Sequence, residues 1–566
     1  MMKPDAKFNR RGWLHSLGLT TGAAAILSLS EKSALGAQVA GEQTPGLFNV
    51  MDYGAKGDGT TDDSDAIQKA INAAQNYFNG DVKMGGIVFL PTGSYGVSKG
   101  LLITGAIKIF GQGQTTIDGA THIVPSSLDF DVIKAVNVNC GVVLEGFIIR
   151  NYSMKGSGGH FLRFQGCQNV LVRGVDLSNC WNGVLVDSSG DVRIYDMSVG
   201  PADVPGIGRF GIKCTAGSPG NANSTLVWNC CVNQWGQNPR TVDGFVLANG
   251  YNSLTTVACG ALNCNRAFFS SRDGGAEPDF FVVQGGTSDH CNTGVQLDEG
   301  ALNQFSDLLV TSSYVDNVNI GANVTGPVAF SNCIVTMTGS TTPPHGAGYR
   351  IFSTQAPNVT ITGGTVFNTG GKAVDISGNA NVVITGVAIS SIQAGEGANS
   401  ADGLGISGSG NVTLNGLSIV QVRDIAIHVL AGFTGALTFS GISQQNAGRG
   451  LYDDGSSGQI VGNGSFRINA TLDVDVSKNQ NAKTCIQSHD SIPWPFYPTP
   501  AVPGSGSPVQ NTTGTNCMVY LSGGNVKQVI VDGVNLGVQA SVYLPVNRKI
   551  EIKYRGKLSW VWQRVT

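Results

Sequence analysis

The chain has 566 residues, only 13% of them charged, and a formal net charge of −3. It carries no basic run, which argues against nucleic acid or an anionic membrane as partner, and its 79 glycines follow no three-residue period, which excludes a collagen-like fibre. This length is more than one ordinary domain needs unless the fold is a repeat array.

Residues 1–37 read as a targeting signal. Arg10-Arg11 precedes a weakly apolar stretch, residues 17–27, and small residues follow up to Ala37. The apolar run is too short and too mild to span a membrane. The arginine pair reads as a bacterial twin-arginine export signal. The plainer alternative is an ordinary secretory peptide that happens to hold two arginines; the Gly/Thr/Ala-rich core favours the former. Removing 1–37 leaves 30 basic and 36 acidic residues. The product is expected in the periplasm or outside the cell.

The stretch Phe48–Asp63 is a short apolar strand followed by a Gly/Asp turn cluster. Asp62 or Asp63 is placed to cap the next helix. That helix carries Ala66, Ile67, Ala70, Ile71 and Ala74 as one apolar stripe. A strand, Ile87–Leu90, and a turn at Pro91-Thr92-Gly93 follow. This order, with Gly93-Ser94-Tyr95 and Phe110-Gly111-Gln112-Gly113, resembles the opening segment of the pectate-lyase-like superfamily, which includes rhamnogalacturonase- and epimerase-like proteins. The resemblance covers about Phe48 to Gly119. It implies a right-handed parallel β-helix with an N-terminal capping helix, and it leaves the reaction open among hydrolases, lyases, epimerases and binding proteins.

From about residue 160 a turn residue followed by apolar–any–apolar recurs, at a mean of about 26 residues per coil. Period two fixes the faces. Val184, Ile212, Phe245, Phe268, Val295, Val318, Tyr349, Val374, Leu404, Ile427 and Leu451 are predicted inward. Leu185, Lys213, Val246, Phe269, Gln296, Asn319, Arg350, Asp375 and His428 are predicted outward, with His428 reading as surface filler among apolar neighbours. The β-helix is expected over 46–470. A Pro/Gly-rich linker or lid, 491–511, then leads to a small C-terminal β module, 512–566. Trp560 and Trp562 there are either a sugar-stacking platform or core packing, the use small cores make of large aromatics.

The 12 cysteines show no Cys-x-x-Cys pair and no zinc spacing, so neither metal nor cofactor is expected. Asn-Cys recurs at residues 139–140, 179–180, 229–230, 263–264, 332–333 and 516–517 and reads as asparagines at turns with cysteine as a small buried hydrophobe. Cys485 with Cys517 is the one pair that could form a bridge.

A glycan chain on a β-helix lies along an outward face, and hydrolysis there needs a pair of carboxylates. The densest charged zone is Arg272 to Glu299. Asp273, Glu277, Asp298 and Glu299 are the catalytic candidates. Arg272, Lys213, Phe269 and Arg350 are the substrate-binding candidates. A solvated loop of mixed charge is the competing reading. Asp243 sits at a turn-ladder position like Asn182 and reads as structural first. The motifs of polygalacturonases (Asn-Thr-Asp, Asp-Asp, Gly-His-Gly, Arg-Ile-Lys) are not present as a set, and Arg209–Lys213 only loosely resembles the last. The Asp-Pro-His motif of mannuronan epimerases and a pectate-lyase-like calcium trio are missing too. The expected function is an exported enzyme on a polysaccharide, hydrolase or lyase. The rival is a non-catalytic glycan-binding or cell-surface protein whose C-terminal module serves attachment or homotrimer formation.

Overall fold

Eight short parallel strands, stacked in chain order, form one face of a solenoid. They are Leu101–Ile103, Ile133–Val136, His160–Gln165, Asn182–Asp187, Arg209–Thr215, Val242–Ala248, Arg266–Ser271 and Thr293–Leu297. We call this the first sheet. The structure, a computed structural model, describes residues 45–564 except 80–81, 114–118, 217–222, 235–239, 298–301, 313–326, 338–346, 393–399, 469–470, 473, 482–483, 488–499 and 514–515. The export signal read in residues 1–37 therefore lies outside the described residues.

The rest of each coil supplies the other two faces. Ser253–Leu262, for example, runs through both and turns a corner at Ala258, whose φ is +52°. The next coil repeats it as Phe280–Asp289, paired in parallel register. The fold is a right-handed parallel β-helix. Period two works as expected because the inward positions stay in register from coil to coil. Val184, Ile212, Phe245, Phe268 and Val295 are register partners and all are buried, as are Tyr349, Val374, Leu404, Ile427 and Leu451. Val318 lies outside the described residues. An aromatic spine crosses the core: Phe245–Phe268 stack at 5.4 Å, and Phe281, Phe305, Phe330 and Tyr349 continue it at centroid distances of 5.1–6.4 Å. Each such pair adds about 0.5–1.5 kcal/mol beyond the area it buries.

The Asn-Cys recurrence has a conformational cause. Asn179, Asn229, Asn263 and Asn332 have φ between +52° and +59°, and each following cysteine is buried. Asparagine tolerates the left-handed corner, and the next residue turns inward where only a small side chain fits. Cys140 departs from this pattern: it is exposed, and Asn139 is not left-handed. Cys517 is buried; the side chain of Cys485, with which a bridge was considered, lies outside the described residues.

The helix Ser64–Gln75 covers the open edge of the first sheet. Ile67, Ala70, Ile71 and Ala74 are fully buried beneath it. Above them, Gln68 bonds the backbone of the edge strand twice: its amide nitrogen donates to the Leu102 carbonyl (2.9 Å) and its Oε1 accepts from the Leu102 N–H (2.8 Å). Gln75 Oε1 accepts from the Thr104 N–H at 2.9 Å. Asp62 holds the helix start, accepting from the Ser64 N–H and hydroxyl. Asp63 does not cap; it accepts from the Lys56 and Gly57 N–H groups and so ties the turn cluster.

Past the coils lies an antiparallel sheet built from Pro508–Gln510, Cys517–Val531, Val534–Gly537, Ser541–Leu544 and Lys549–Arg564. Pro508–Gln510 falls within the stretch read as linker and pairs with residues 549–551. Trp560 and Trp562 are buried in this sheet's own core, and Trp560 Nε1 donates to the Pro500 carbonyl at 2.6 Å. That corrects the sugar-platform reading. Asn547 donates to the Val476 carbonyl at 2.7 Å, joining the sheet to the last coils.

Candidate functional site

The outward row of the first sheet runs Lys134, Arg163, Leu185, Lys213, Val246, Phe269, Gln296, one residue per coil. Val246 and Phe269 point outward as read, yet both are buried. Phe210, Ala248 and the partly buried Leu185 close over them in a small apolar cluster outside the barrel of the helix. Outward orientation is set by the pleat; exposure is decided by what folds over the sheet.

A small pocket of about 70 Å³ opens there, with Phe210, Lys213, Asp243, Arg266, Phe269 and Asp273 in its wall. Asp273 reaches it because the chain turns sharply after the strand Arg266–Ser271. Its φ is +50°, Gly274 follows at +79°, and the Gly275 N–H donates to the Arg272 carbonyl at 2.8 Å. The turn sends the Asp273 carboxylate back over the sheet to Lys213, with Oδ2 2.5 Å from Nζ. Asp273 is over half exposed, so solvent screens this pair and its worth to stability is small.

Asp243 behaves differently. It is nearly buried and accepts from Arg266 through both oxygens, at 2.8 and 2.6 Å, and from Asn265 at 3.2 Å. The Arg266 guanidinium in turn lies 3.3 Å from the Phe269 ring centroid. Asp243 is thus structural, as its turn position suggested, but what it positions is an arginine stacked on the pocket floor. Arg266 was not among the sequence candidates. The signal was available: Asp243 precedes the inward Phe245 by two residues and Arg266 precedes the inward Phe268 by two, so the coils place one above the other.

The other candidates distribute unevenly. Glu277 and Arg272 contact each other at 3.3 Å and do not line the pocket. Arg350 is exposed on a later coil, level with Asp375 rather than with the pocket. Asp298, Glu299 and the outward Asn319 lie outside the described residues. Asp289 and His290, counted in the same zone, pair with each other at 2.6 Å at the corner of a different sheet. Arg209 is fully buried, donating to the carbonyls of Cys180, Trp181, Ala202 and Val204, and so serves the coil rather than a ligand.

Two more charged groups share this side of the molecule. Upstream, Arg163 lies between Asp131 (3.3 Å) and Asp187 (3.6 Å), and His160 Nδ1 is 2.7 Å from Asp131. Burial opposes the charge on Asp131, but the hydrogen bond from His160 and the charges of His160 and Arg163 outweigh it and hold the carboxyl below its usual range. The His160 ring lies 5.7 Å from that of Phe210, so this group adjoins the pocket. Downstream, Asp375, Gly405, His428, Tyr452 and Asp475 form a continuous register. His428 is not surface filler. Its Nδ1 is 3.0 Å from the fully buried Asp402, and its Nε2 is buried with no hydrogen-bond partner among the described residues. Lys478 donates to the Tyr452 hydroxyl (2.7 Å) and to Asp454 (3.1 Å), which lowers the Asp454 carboxyl and raises the lysine. Among the described residues no group of His, Cys, Asp and Glu side chains is arranged to hold a metal ion.

Comparison with known proteins bears on the first coils. Residues 47–135 match the family described as rhamnogalacturonase A/epimerase, pectate lyase-like. The opening coils are pectate-lyase-like. Over 90 residues the chain is 48% identical to alginate lyase 7 of Azotobacter vinelandii, an alignment covering 16% of this chain and 9% of that protein. Over 161 residues it is 30% identical to a probable rhamnogalacturonase A of Aspergillus niger, covering 27% of this chain and 33% of that one. The chain thus spans a third or less of the length of these relatives. Among solved structures, the N-terminal fragment of bacteriophage phi29 gene product 12 superposes with TM-score 0.53 at 16% identity, over 70% of this chain and 71% of that one. A tailspike mutant of Escherichia coli bacteriophage HK620, in complex with a pentasaccharide, superposes with TM-score 0.50 at 12% identity, over 92% and 93%. These likenesses extend the pectate-lyase-like start into a β-helix along most of the chain.

Proposed function

We propose that this pectate-lyase-like protein is an exported, polysaccharide-active enzyme, a glycoside hydrolase or polysaccharide lyase working in the periplasm or outside the cell. It binds a glycan chain along the outward face of the first sheet. The observation that carries this reading is the Asp273 carboxylate, folded back across that face onto Lys213 beside a floor of Phe210 and Phe269. A carboxylate placed over this face beside a lysine is positioned to act as base or nucleophile, and the lysine is a cation for a sugar carboxylate or a proton source for a leaving oxygen. Asp243 and Arg266 fix the wall against which the sugar rests. The alignments with an alginate lyase and a probable rhamnogalacturonase A support a polysaccharide as substrate.

The test is a screen of the purified protein against a polysaccharide panel, reading both reducing ends and ultraviolet-absorbing unsaturated products. Hydrolysis gives the first signal alone and elimination gives both. Asp273→Asn is expected to lower kcat by about 10²–10⁴-fold, the range for one acid–base group. Full activity in that variant would remove Asp273 from the chemistry.

One observation favours a second reading, a non-catalytic glycan-binding protein. Three carboxylates at and beside the pocket are each matched to a cation: Asp243 to Arg266, Asp273 to Lys213 and Glu277 to Arg272. Glycan binding on this face without turnover of any panel member would establish that reading.

A further inference from the structure

A second row of outward side chains runs along another face of the helix. Phe89, Phe110, Glu145, Arg173, Tyr195 and Trp228 are register partners on successive coils. Four of the six are aromatic. Phe89 and Phe110 stack at 5.8 Å, and Tyr195 and Trp228 meet edge to face at 6.3 Å. Burial does not explain them: Phe110 is 36% and Trp228 54% exposed.

An open groove of about 400 Å³ runs beside Phe110, Glu145 and Arg173, floored by Gly111, Gly146 and Gly174. Gly146 and Gly174 have φ of +72° and +57°, so the corner that needs a left-handed residue also keeps the groove clear of side chains. Charge completes the pattern. Glu145 is neutralised by Lys108 at 2.6 Å, and that lysine also lies 5.3 Å from the Phe110 ring. Arg173 is exposed and has no ion pair or hydrogen bond among the described residues. One uncompensated guanidinium thus stands between two pairs of aromatic rings.

We propose that this row is a second carbohydrate site, taking a segment of an acidic polysaccharide laid parallel to the helix axis. Coils rise by about 4.8 Å, close to the advance of one sugar unit in an extended chain. The faces of Phe110, Tyr195 and Trp228 suit the apolar faces of pyranose rings, and Arg173 presents the planar two-donor fork that matches a carboxylate. From Phe110 to Trp228 the row spans about 19 Å, room for a short oligosaccharide. It lies on a different sheet from the pocket around Asp273 and needs no chemistry there. It would hold the enzyme on its polymer, or hold a non-catalytic protein on its glycan.

The test uses the full chain and calorimetric titration with a galacturonate hexasaccharide, a mannuronate hexasaccharide and the carboxyl-reduced form of each. Trp228→Ala and Arg173→Gln alter exposed side chains, and circular dichroism verifies their folding. Trp228→Ala is expected to weaken an acidic probe about tenfold or more, and Arg173→Gln to erase the preference for acidic over reduced probe. Asp273→Asn should leave this binding unchanged while changing activity, which separates failure of this site from failure of the first. Equal binding by wild type, Trp228→Ala and Arg173→Gln would overturn the proposal. So would absence of binding to every probe, or variants that change only the sedimentation coefficient, which would make the row a contact between copies of the chain.

Discussion

At the scale of single residues, the acidic side chains do unlike jobs, and their partners decide which. Asp62 is the clearest structural case. Hydrogen bonds from Ser64 and Ser98 lower its carboxyl to about 2. A depressed carboxyl contributes stability above its unfolded value and loses it as pH falls through its folded value. Asp62→Asn should therefore lower the urea midpoint at neutral pH, and the gap to wild type should close as pH drops from about 4 to about 2. Asp243 is the buried case. Arg266→Ala would strand it with its two shortest donors gone, and a loss of about 3 kcal/mol or more is expected in urea unfolding. A much smaller loss would mean that water replaces the arginine. Ser64 lies two residues from Asp62, but Ser98 lies 36 away and the donors to Asp243 lie 22 and 23 away, beyond any local window.

At the scale of elements, the coil is what the sequence shows best. Apolar residues at period two mark each strand, and left-handed Asn, Ala or His residues mark its corners. The inward ladder from Val184 to Leu451 was legible for that reason. The site was less so. Lys213 and Asp273 are 60 positions apart, and their meeting depends on one turn at residues 272–275 that periodicity does not describe. Phe269 was read as an outward sugar contact, and it is outward, but Phe210, at the start of the strand two coils earlier, helps to bury it. His428 was misread because its partner, Asp402, comes from the turn of the preceding coil. The helix offers a direct test of element packing. Gln68→Ala removes two hydrogen bonds to the Leu102 backbone and should cost about 1–2 kcal/mol, with faster hydrogen exchange confined to residues 101–103. Uniform loss of protection along the chain would show that the helix holds more than the edge.

At the scale of the whole molecule, stability is close to a sum over neighbouring coils, so function can change on one face without disturbing the rest. The two outward rows use this freedom. One gathers ion pairs and a bent-back carboxylate; the other gathers exposed rings and one unpaired guanidinium. Fold and superfamily were readable from the first coil, but the pocket around Asp273 lies further along, where the turn at residues 272–275 shapes it. The glutamine that bonds Leu102 has a larger meaning here. A stack of parallel strands has no natural last member: any open end is a template for the next strand, including one from another molecule. Gln68 presents one donor and one acceptor, as a strand would, and then offers nothing further to copy. With Gln75 at Thr104, that side chain closes this edge of the first sheet to strand addition, in a protein whose repetition would otherwise invite the next strand.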